Sequence, residues 1–128
     1  MISSSGNIKG KAALVTGATR GLGRALALEY GRQGCDLHLV ARNSMELAPV
    51  IEEIAQECPD IYVHAWECDL SSKEEIDSLI DDLLPTAIDI LVNCAGVFPV
   101  NTLWDTTIEE YERCMSVNVT APFLLMKE

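Results

Sequence analysis

The sequence has little positive charge. Its 128 residues include nine lysines and arginines but twenty aspartates and glutamates, which gives a formal net charge of −11. Proteins that bind nucleic acids usually carry a basic face, so this balance argues against a nucleic acid partner. The cations are also unevenly distributed, because residues 1–42 hold six of the nine and only two of the twenty acids. The first third is therefore the only positive part of the chain.

Long apolar runs are absent as well. No stretch approaches the roughly 18 consecutive apolar residues of a membrane span. The opening MISSSGNIKGK lacks the apolar core of a secretory signal. We therefore expect a cytoplasmic protein that does not associate with membranes.

Disulfide frameworks and metal sites are not indicated. The five cysteines are an odd number with no C-x-x-C pair, so we interpret them as small core residues. The two histidines fall within predicted strands, and the acidic groups fall on polar helix faces. No metal site is predicted. The residues concerned are Cys35, Cys58, Cys68, Cys94, Cys114, His38, His64, Glu52, Glu53, Glu57, Asp77, Asp81 and Asp82.

The composition itself is that of an ordinary globular domain. Hydrophobic residues make up 48% of the chain and charged residues 23%, and a chain of this length forms one domain with a real core. Residues 1–8 are polar and predict a flexible tail, and residues 9–128 predict the folded part.

Apolar segments and helical patterns alternate along the folded part. The predicted strands are KAALV (11–15), DLHLV (36–40), IYVHAWECDL (61–70) and IDILVNCAG (88–96). The helical sets are Leu22, Ala25, Leu26 and Tyr30; Leu47, Ile51, Ile54, Ala55 and Cys58; and Ile76, Leu79, Ile80 and Leu83. This alternation predicts an α/β protein with a parallel sheet and right-handed crossovers. Ligands of such sheets bind at the carboxyl ends of the strands.

The ends of the helices carry several signals. Asn43 and Ser44 are candidate caps of the second helix, and Pro49 predicts that this helix begins late. Ser72 with Glu75 predicts a capping box for the third helix. A last helix is expected to start near Thr106 or Thr107 and to run towards Asn118.

A glycine loop, LVTGATRGLGRALA (14–27), joins the first strand to the first helix. A strand, a tight glycine turn and a helix start together place free backbone N–H groups and the positive end of a helix dipole at one point. That arrangement suits a pyrophosphate group. Taken alone, the spacing also fits a plain turn.

Four motifs in order resemble the short-chain dehydrogenase/reductase family. Its fingerprint T-G-x-x-x-G-x-G matches Thr16, Gly17, Gly21 and Gly23; Asp69 follows the third strand; Asn93, Ala95 and Gly96 end the fourth; and Asn118 lies in SVNVTAPF. The resemblance implies the cofactor-binding half of a Rossmann-type, doubly wound parallel sheet, with four strands in the order 3-2-1-4 and helices on both faces. It also implies hydride transfer between a carbonyl and an alcohol. Cys94 departs from the family's N-N-A-G motif and leaves a side-chain hydrogen bond from that position in doubt.

The resemblance also implies which residues contact the cofactor. Asp69 stands where the family contacts adenine. The full predicted set is Thr16, Gly17, Thr19, Arg20, Gly21, Leu22, Gly23, Arg42, Asn43, Asp69, Leu70, Asn93, Ala95 and Gly96.

The second strand bears on the choice between NAD and NADP. An acid about 20 residues past the glycines suits the ribose of NAD, whereas an arginine suits the phosphate of NADP. The strand ends Val40, Ala41, Arg42, Asn43 without an acid, so Arg42 and Arg20 favour NADP over NAD. The alternative is that both arginines are solvated surface residues.

The family's catalytic tyrosine and lysine are not matched. The residues four positions after Tyr30, Tyr62 and Tyr111 are Gly34, Trp66 and Met115, so no Y-x-x-x-K occurs. Asn118 is then the only residue of the catalytic tetrad, and we expect it to act structurally, by bonding inside a kinked helix. The chain alone is predicted inactive, as half of an NADP-dependent carbonyl reductase or alcohol dehydrogenase of unspecified small-molecule substrate. The alternative is a non-catalytic module that binds NADP or a partner protein.

An exposed edge is a further expectation. Without later strands, the fourth strand is an apolar sheet edge of the kind that pairs with other chains. The last helix resembles the family's dimerisation helix. The sequence therefore predicts a homo-oligomer, or else partial disorder beyond about Val97.

Overall fold

The structure is a computed structural model and describes residues 6–128. Of the predicted flexible tail, residues 1–5 lie outside the described residues. Ile8 packs against the hydrophobic core, and its carbonyl accepts hydrogen bonds from Lys11 N–H at 3.0 Å and from the Cys35 thiol at 3.3 Å.

Strands and helices alternate as the sequence predicts. The strands are β1 (Ala12–Thr16), β2 (Asp36–Ala41), β3 (Val63–Glu67) and β4 (Ile90–Asn93). The helices are α1 (Gly21–Arg32), α2 (Ala48–Glu57), α3 (Lys73–Leu83), α4 (Ile108–Met115) and α5 (Ala121–Lys127). A 3-10 turn at Ser44–Leu47 precedes α2, and a π turn at Ser116–Thr120 joins α4 to α5.

The sheet confirms the predicted topology. All pairings are parallel and the strand order is β3-β2-β1-β4. Side chains alternate between the two faces of the sheet. Val15 and Leu39 pack with α1 and α2 on one face, while Leu14 and Val40 pack with α3 and α5 on the other. The core therefore has two layers, and the carboxyl ends of all four strands meet at one edge.

The buried face of α1 differs from the predicted one. Its buried residues are Gly23, Ala27, Leu28 and Gly31, whereas Leu22 is 69% exposed. The reason is the close approach of Gly23 to the β1 loop, where a Cβ would lie 2.1 Å from the Gly17 carbonyl oxygen. Small residues on this face let the helix lie close to the sheet, and the larger Leu22 turns outward.

The helix ends largely follow their signals. Asn43 accepts a hydrogen bond from Met45 N–H at 3.0 Å and caps the 3-10 turn, and α2 begins late, with Pro49 in its first turn. The predicted capping box of α3 is only half formed. The Ser72 hydroxyl accepts from Glu75 N–H at 3.3 Å, but the Glu75 carboxylate accepts from Asp69 N–H at 2.6 Å.

The last helix is longer than predicted. Thr107 forms a complete capping box with Glu110, and the helical path continues through the π turn to Lys127. One extra residue per turn in the π turn rotates the side chains that follow it.

Two apolar surfaces are exposed at one side of the molecule. Within residues 6–128, β4 pairs only with β1, and its residues are half-buried or exposed, so β4 is the sheet edge that the sequence predicts. A stripe that runs along α4, the π turn and α5 is also exposed, and we call it the α4–α5 stripe; it consists of Ile108, Tyr111, Met115, Val119, Phe123 and Met126. No helix among the described residues is long and apolar enough to cross a membrane.

Candidate functional site

A cavity of about 530 Å³ lies at the carboxyl edge of the sheet. The glycine loop forms its centre, the ends of β2, β3 and β4 form its floor, and α4 closes one side. Its lining consists of Gly17, Thr19, Arg20, Gly21, Leu22, Gly23, Val40, Ala41, Arg42, Glu46, Cys68, Asp69, Leu70, Cys94, Ala95, Gly96, Val97, Arg113 and Val117. The cavity therefore gathers segments from all four strand ends.

The glycine loop owes its shape to close backbone contacts. Gly17 and Gly21 have φ angles of +66° and +57°, which side chains rarely adopt. A Cβ on Gly17 would lie 2.7 Å from Ala95 N. At Gly21, by contrast, no atom of the described residues lies within 4 Å of the Cβ position. Gly17 is thus required by packing against the end of β4, and Gly21 by its backbone conformation.

The first turn of α1 has no side-chain cap. Its N-cap residue is Arg20, whose side chain makes no capping hydrogen bond, whereas Asn43, Ser72 and Thr107 cap the helical segments that follow them. Unpaired N–H groups and the helix dipole make such an end positive. The positive end faces the cavity and suits an anion.

Two cavity arginines carry charge without a protein partner. Within residues 6–128, Arg20 and Arg42 form no hydrogen bond or ion pair through their side chains, although both line the cavity. By contrast, Arg24 pairs with Glu53 and Arg32 pairs with Glu57 on the neighbouring helix. The difference leaves two guanidinium groups for a ligand at the cavity mouth.

Asp69 is held at the end of β3 by its neighbour Ser71. Its Oδ1 accepts from Ser71 N–H at 2.9 Å and from the Ser71 hydroxyl at 2.7 Å. These hydrogen bonds lower the pKa of the Asp69 carboxyl, and the charges of Arg113 and Arg42 lower it further. Asp69 is therefore an ionised acceptor that faces the cavity.

Most predicted site residues line the cavity, but three predicted contact residues and the tetrad residue Asn118 do not. Thr16 is buried and joins two strands: its hydroxyl accepts from Ala95 N–H at 3.1 Å and donates to Val92 C=O at 3.4 Å. Asn43 caps the 3-10 turn, and Asn93 is exposed at the end of β4. None of these three reaches the lining.

Asn118 is the fourth predicted residue outside the lining. Its Oδ1 accepts from Val97 N–H and its Nδ2 donates to Val97 C=O, both at 2.9 Å. A weaker contact of 3.5 Å reaches the Cys114 thiol within the helix. We expected the Asn118 side chain to bond inside the helix. Its two short hydrogen bonds instead join the π turn to Val97 in the loop after β4, and only the weak contact to Cys114 lies within the helix.

Sequence reasoning missed several lining residues, of which Glu46 and Arg113 carry charge. Glu46 stands four residues after Arg42, so its place near the end of β2 was accessible from the sequence. Arg113 approaches from α4, and no local pattern relates it to the strand ends. Cys68 also lines the cavity, but burial raises the pKa of its thiol to about 12 and keeps it protonated.

The two histidines lie on the sheet away from the cavity. His38 is 5% exposed, and its Nδ1 accepts a hydrogen bond from Trp66 Nε1 at 3.1 Å. His64 contacts the Tyr62 hydroxyl at 3.1 Å. Both are strand residues, as predicted from the sequence.

Comparison with known proteins agrees with this architecture. Short chain dehydrogenase mdpC of Emericella nidulans is 35% identical over 125 residues, which cover 94% of this chain and 46% of mdpC. Two solved structures each superpose with a TM-score of 0.85. One is a metagenomic short-chain oxidoreductase in complex with NADP, 34% identical over 93% of this chain and 54% of its own. The other is a short-chain dehydrogenase from Sphingobium yanoikuyae in complex with NADPH, 31% identical over 91% of this chain and 46% of its own.

The matched length is nearly the whole chain but only part of each relative. This chain spans about half the length of the relatives that it matches. The family model of the short chain dehydrogenases matches residues 11–128, and with the strand order and the glycine loop this shows that the protein belongs to the short chain dehydrogenase family and corresponds to its N-terminal half.

Proposed function

We propose that this chain binds NADP(H) in the cavity at the carboxyl edge of the sheet. In this proposal it is the cofactor-binding half of an oxidoreductase that interconverts a carbonyl compound and an alcohol. One observation carries the proposal: the glycine loop, the uncapped start of α1, and Arg20 and Arg42, which are unpaired among residues 6–128, converge on one cavity.

The diphosphate of the cofactor fits the glycine loop. Gly21 leaves open space above the loop, since no atom in the described part of the chain lies within 4 Å of its Cβ position. The N–H groups of the first turn of α1 point towards that space, and the helix dipole favours negative charge there. A diphosphate at this position supplies the acceptors that the uncapped helix lacks.

The 2′-phosphate of NADP fits the pair of arginines. Guanidinium groups bind phosphate oxygens in paired, charge-assisted geometry, and Arg20 and Arg42 flank the cavity from the loop and from the end of β2. The solved relatives in complex with NADP and NADPH support this choice over NAD. Glu46 lines the same cavity, and its negative charge would repel the 2′-phosphate.

The chain contributes binding and orientation to the reaction. The nicotinamide ring supplies or accepts the hydride when the cofactor is bound. Asp69 lines the cavity at the end of β3, on one side of the sheet. Ala95 and Gly96 line it at the end of β4, on the opposite side of the sheet. Asn118 is proposed to serve the site by fixing the backbone of Val97.

Reduction of a carbonyl produces an alkoxide that an acid must protonate. The family's acid, the tyrosine of a Y-x-x-x-K motif, is not matched in these 128 residues. No tyrosine is followed four positions later by a lysine. We therefore infer that the 128 residues bind the cofactor without turnover. The same observation favours the second candidate function, a module that binds NADP(H) and pairs with another protein.

The structure offers a surface through which the chain could pair with another protein. The α4–α5 stripe and the open edge of β4 expose apolar side chains and unpaired backbone groups on the described part of the chain. We propose that the chain self-associates through this side, which light scattering tests as a mass above 14.0 kDa.

Calorimetric titration with NADPH tests the proposed function. The wild-type chain should bind NADPH, and Arg20→Gln and Arg42→Gln should each weaken binding by about tenfold, the effect of losing one charge-assisted hydrogen bond. Arg32→Gln is the matched control, because Arg32 is also exposed but pairs with Glu57 outside the cavity. A folded wild-type chain that binds neither NADPH nor NADH contradicts the proposal.

A further inference from the structure

Arg113 brings a third guanidinium group to the cavity. It stands in the last turn of α4, is half-buried, and lines the cavity beside the end of β3. Its Nη1 donates to the Ser71 hydroxyl oxygen at 3.4 Å across 42 positions of sequence. Unlike Arg20 and Arg42, this arginine is therefore tied to a neighbouring side chain.

Ser71 contacts both Arg113 and Asp69. The same hydroxyl oxygen that accepts from Arg113 donates to Asp69 Oδ1 at 2.7 Å, and Ser71 N–H donates to that Oδ1 at 2.9 Å. The other oxygen, Oδ2, receives no hydrogen bond from residues 6–128. One oxygen of the carboxylate is thus fixed, and the other is left for a ligand.

We propose that Arg113 is a positioning residue for base recognition: through Ser71 it holds Asp69 so that Oδ2 accepts the 6-amino group of adenine. This inference rests on the proposed binding of NADP(H). The family resemblance already places Asp69 at adenine; the new element is a relay in which Arg113 and Ser71 orient the Asp69 carboxylate.

The chemistry of the carboxylate explains the selection. An ionised aspartate offers only acceptors, and the hydrogen bonds from Ser71 keep the pKa of Asp69 low, so it stays ionised at neutral pH. Adenine presents an amino donor at position 6, whereas hypoxanthine presents a carbonyl oxygen there. A fixed carboxylate attracts the first base and repels the second.

The relay also explains why the hydroxyl faces the carboxylate. A serine hydroxyl has one proton and two acceptor lone pairs. Because a guanidinium group has only donors, its contact occupies a lone pair and leaves the hydroxyl proton for Asp69. Without Arg113, the Ser71 hydroxyl loses the contact that fixes its orientation, and its hydrogen bond to Asp69 is expected to be less well ordered, while the Ser71 N–H still donates to Asp69 Oδ1.

The test compares binding of NADPH and of its hypoxanthine analogue, deamino-NADPH. The wild-type chain should bind the analogue at least about tenfold more weakly, since hydrogen bonds to charged groups contribute about 1.5–3 kcal/mol. Arg113→Met, which keeps the aliphatic stem, and Ser71→Ala should each reduce this ratio to about two- or threefold. The double variant should reduce it no further, because both changes break one relay.

Arg24→Met is the matched control, since Arg24 pairs with Glu53 outside the cavity and should leave the ratio unchanged. An unchanged ratio in folded Arg113→Met and Ser71→Ala overturns the inference, as does a wild-type chain that binds both cofactors equally. If Arg113→Met does not fold, the ratio of deamino-NADPH to NADPH dissociation constants in Ser71→Ala alone tests the inference. Failure of the wild-type chain to bind NADPH at all instead overturns the proposed function.

Discussion

The side-chain amide of Asn118 pairs with the backbone of Val97 through two hydrogen bonds of 2.9 Å. One partner lies in the π turn between α4 and α5, and the other in the loop that follows β4. The pair therefore fixes the wall of the cavity that contains Ala95, Gly96 and Val97 to the long helix behind it. An asparagine suits this place because its side chain offers both a donor and an acceptor, as the peptide group does.

Replacing Asn118 should destabilise the protein. Asn118→Ala removes the acceptor of the half-buried Val97 N–H and leaves the Val97 C=O with only the weak Cys114 thiol donor at 3.2 Å, so we expect a loss of about 1–3 kcal/mol in the free energy of unfolding. Urea unfolding measures this loss. Asn101→Ala is the control, because Asn101 bonds only to the exposed side of Glu110 and should change stability by less than about 0.5 kcal/mol. Equal losses in the two variants would show that the bridge does not stabilise the fold.

Two glycines of the loop should differ in their response to alanine. A Cβ at Gly23 meets the Gly17 carbonyl oxygen at 2.1 Å, so α1 has to move away from the loop, at a cost of about 3 kcal/mol or more. A Cβ at Gly21 meets no atom within 4 Å, and only its φ of +57° opposes the change, at about 1–2 kcal/mol. Thermal unfolding of both variants checks the order, and a Gly21→Ala variant less stable than Gly23→Ala contradicts it.

Removing the charge of Glu46 should favour NADPH. Glu46 lines the same cavity as Arg42 and is exposed, so its repulsion of the 2′-phosphate is partly screened by water. Glu46→Gln is expected to tighten NADPH binding by about two- to fivefold, in line with exposed charge pairs, and to leave NADH binding unchanged. Parallel titrations with the two cofactors measure this. Tighter binding of both cofactors would place Glu46 elsewhere than beside the phosphate.

Stability should fall as the pH drops below about 6.5, the ordinary pKa of histidine. Burial, assisted by the charge of His64, lowers the pKa of His38 in the folded state. The unfolded chain therefore binds a proton more readily, and the stabilisation present above pH 6.5 is lost as the pH falls through the folded-state pKa. Protonation also ends the hydrogen bond that Nδ1 accepts from Trp66.

Urea unfolding at pH 7.5, 6.5 and 5.5 measures this slope. His38→Gln should flatten it, whereas His64→Gln, on the neighbouring strand, should retain most of it, because burial is the larger cause of the lowered His38 pKa. The lowered pKa values of Asp69 and Asp89 act in a separate window below about pH 4, where their carboxylates take up protons. A slope between pH 7.5 and 5.5 that survives His38→Gln would assign the effect to another group.

The fold followed from the sequence because its signals are local. Apolar segments bounded by glycines and polar turns predicted all four strands, and the parallel order with β1 in the interior followed from the family resemblance. The glycine loop was also predictable, since positive φ angles and close contacts leave few alternatives to Gly17, Gly21 and Gly23.

The remaining errors concern contacts between distant segments. Glu75 was expected to close a box with Ser72, but Asp69 N–H, at the end of β3, competes for its carboxylate. Leu22 was placed on the apolar face of α1, but the approach of Gly23 to the loop turned it outward. Arg113 reaches Ser71 only because α4 returns over the sheet edge. Helical periodicity contains no information about contacts between segments that are distant in the sequence.

The ratio of NADH to NADPH dissociation constants, measured by calorimetry on the wild-type chain and on Arg42→Asp, tests the central claim most directly. The claim predicts a wild-type preference for NADPH of about tenfold or more and its reversal in Arg42→Asp, because the aspartate repels the 2′-phosphate and accepts hydrogen bonds from the ribose hydroxyls. A ratio that is the same in both proteins would contradict it.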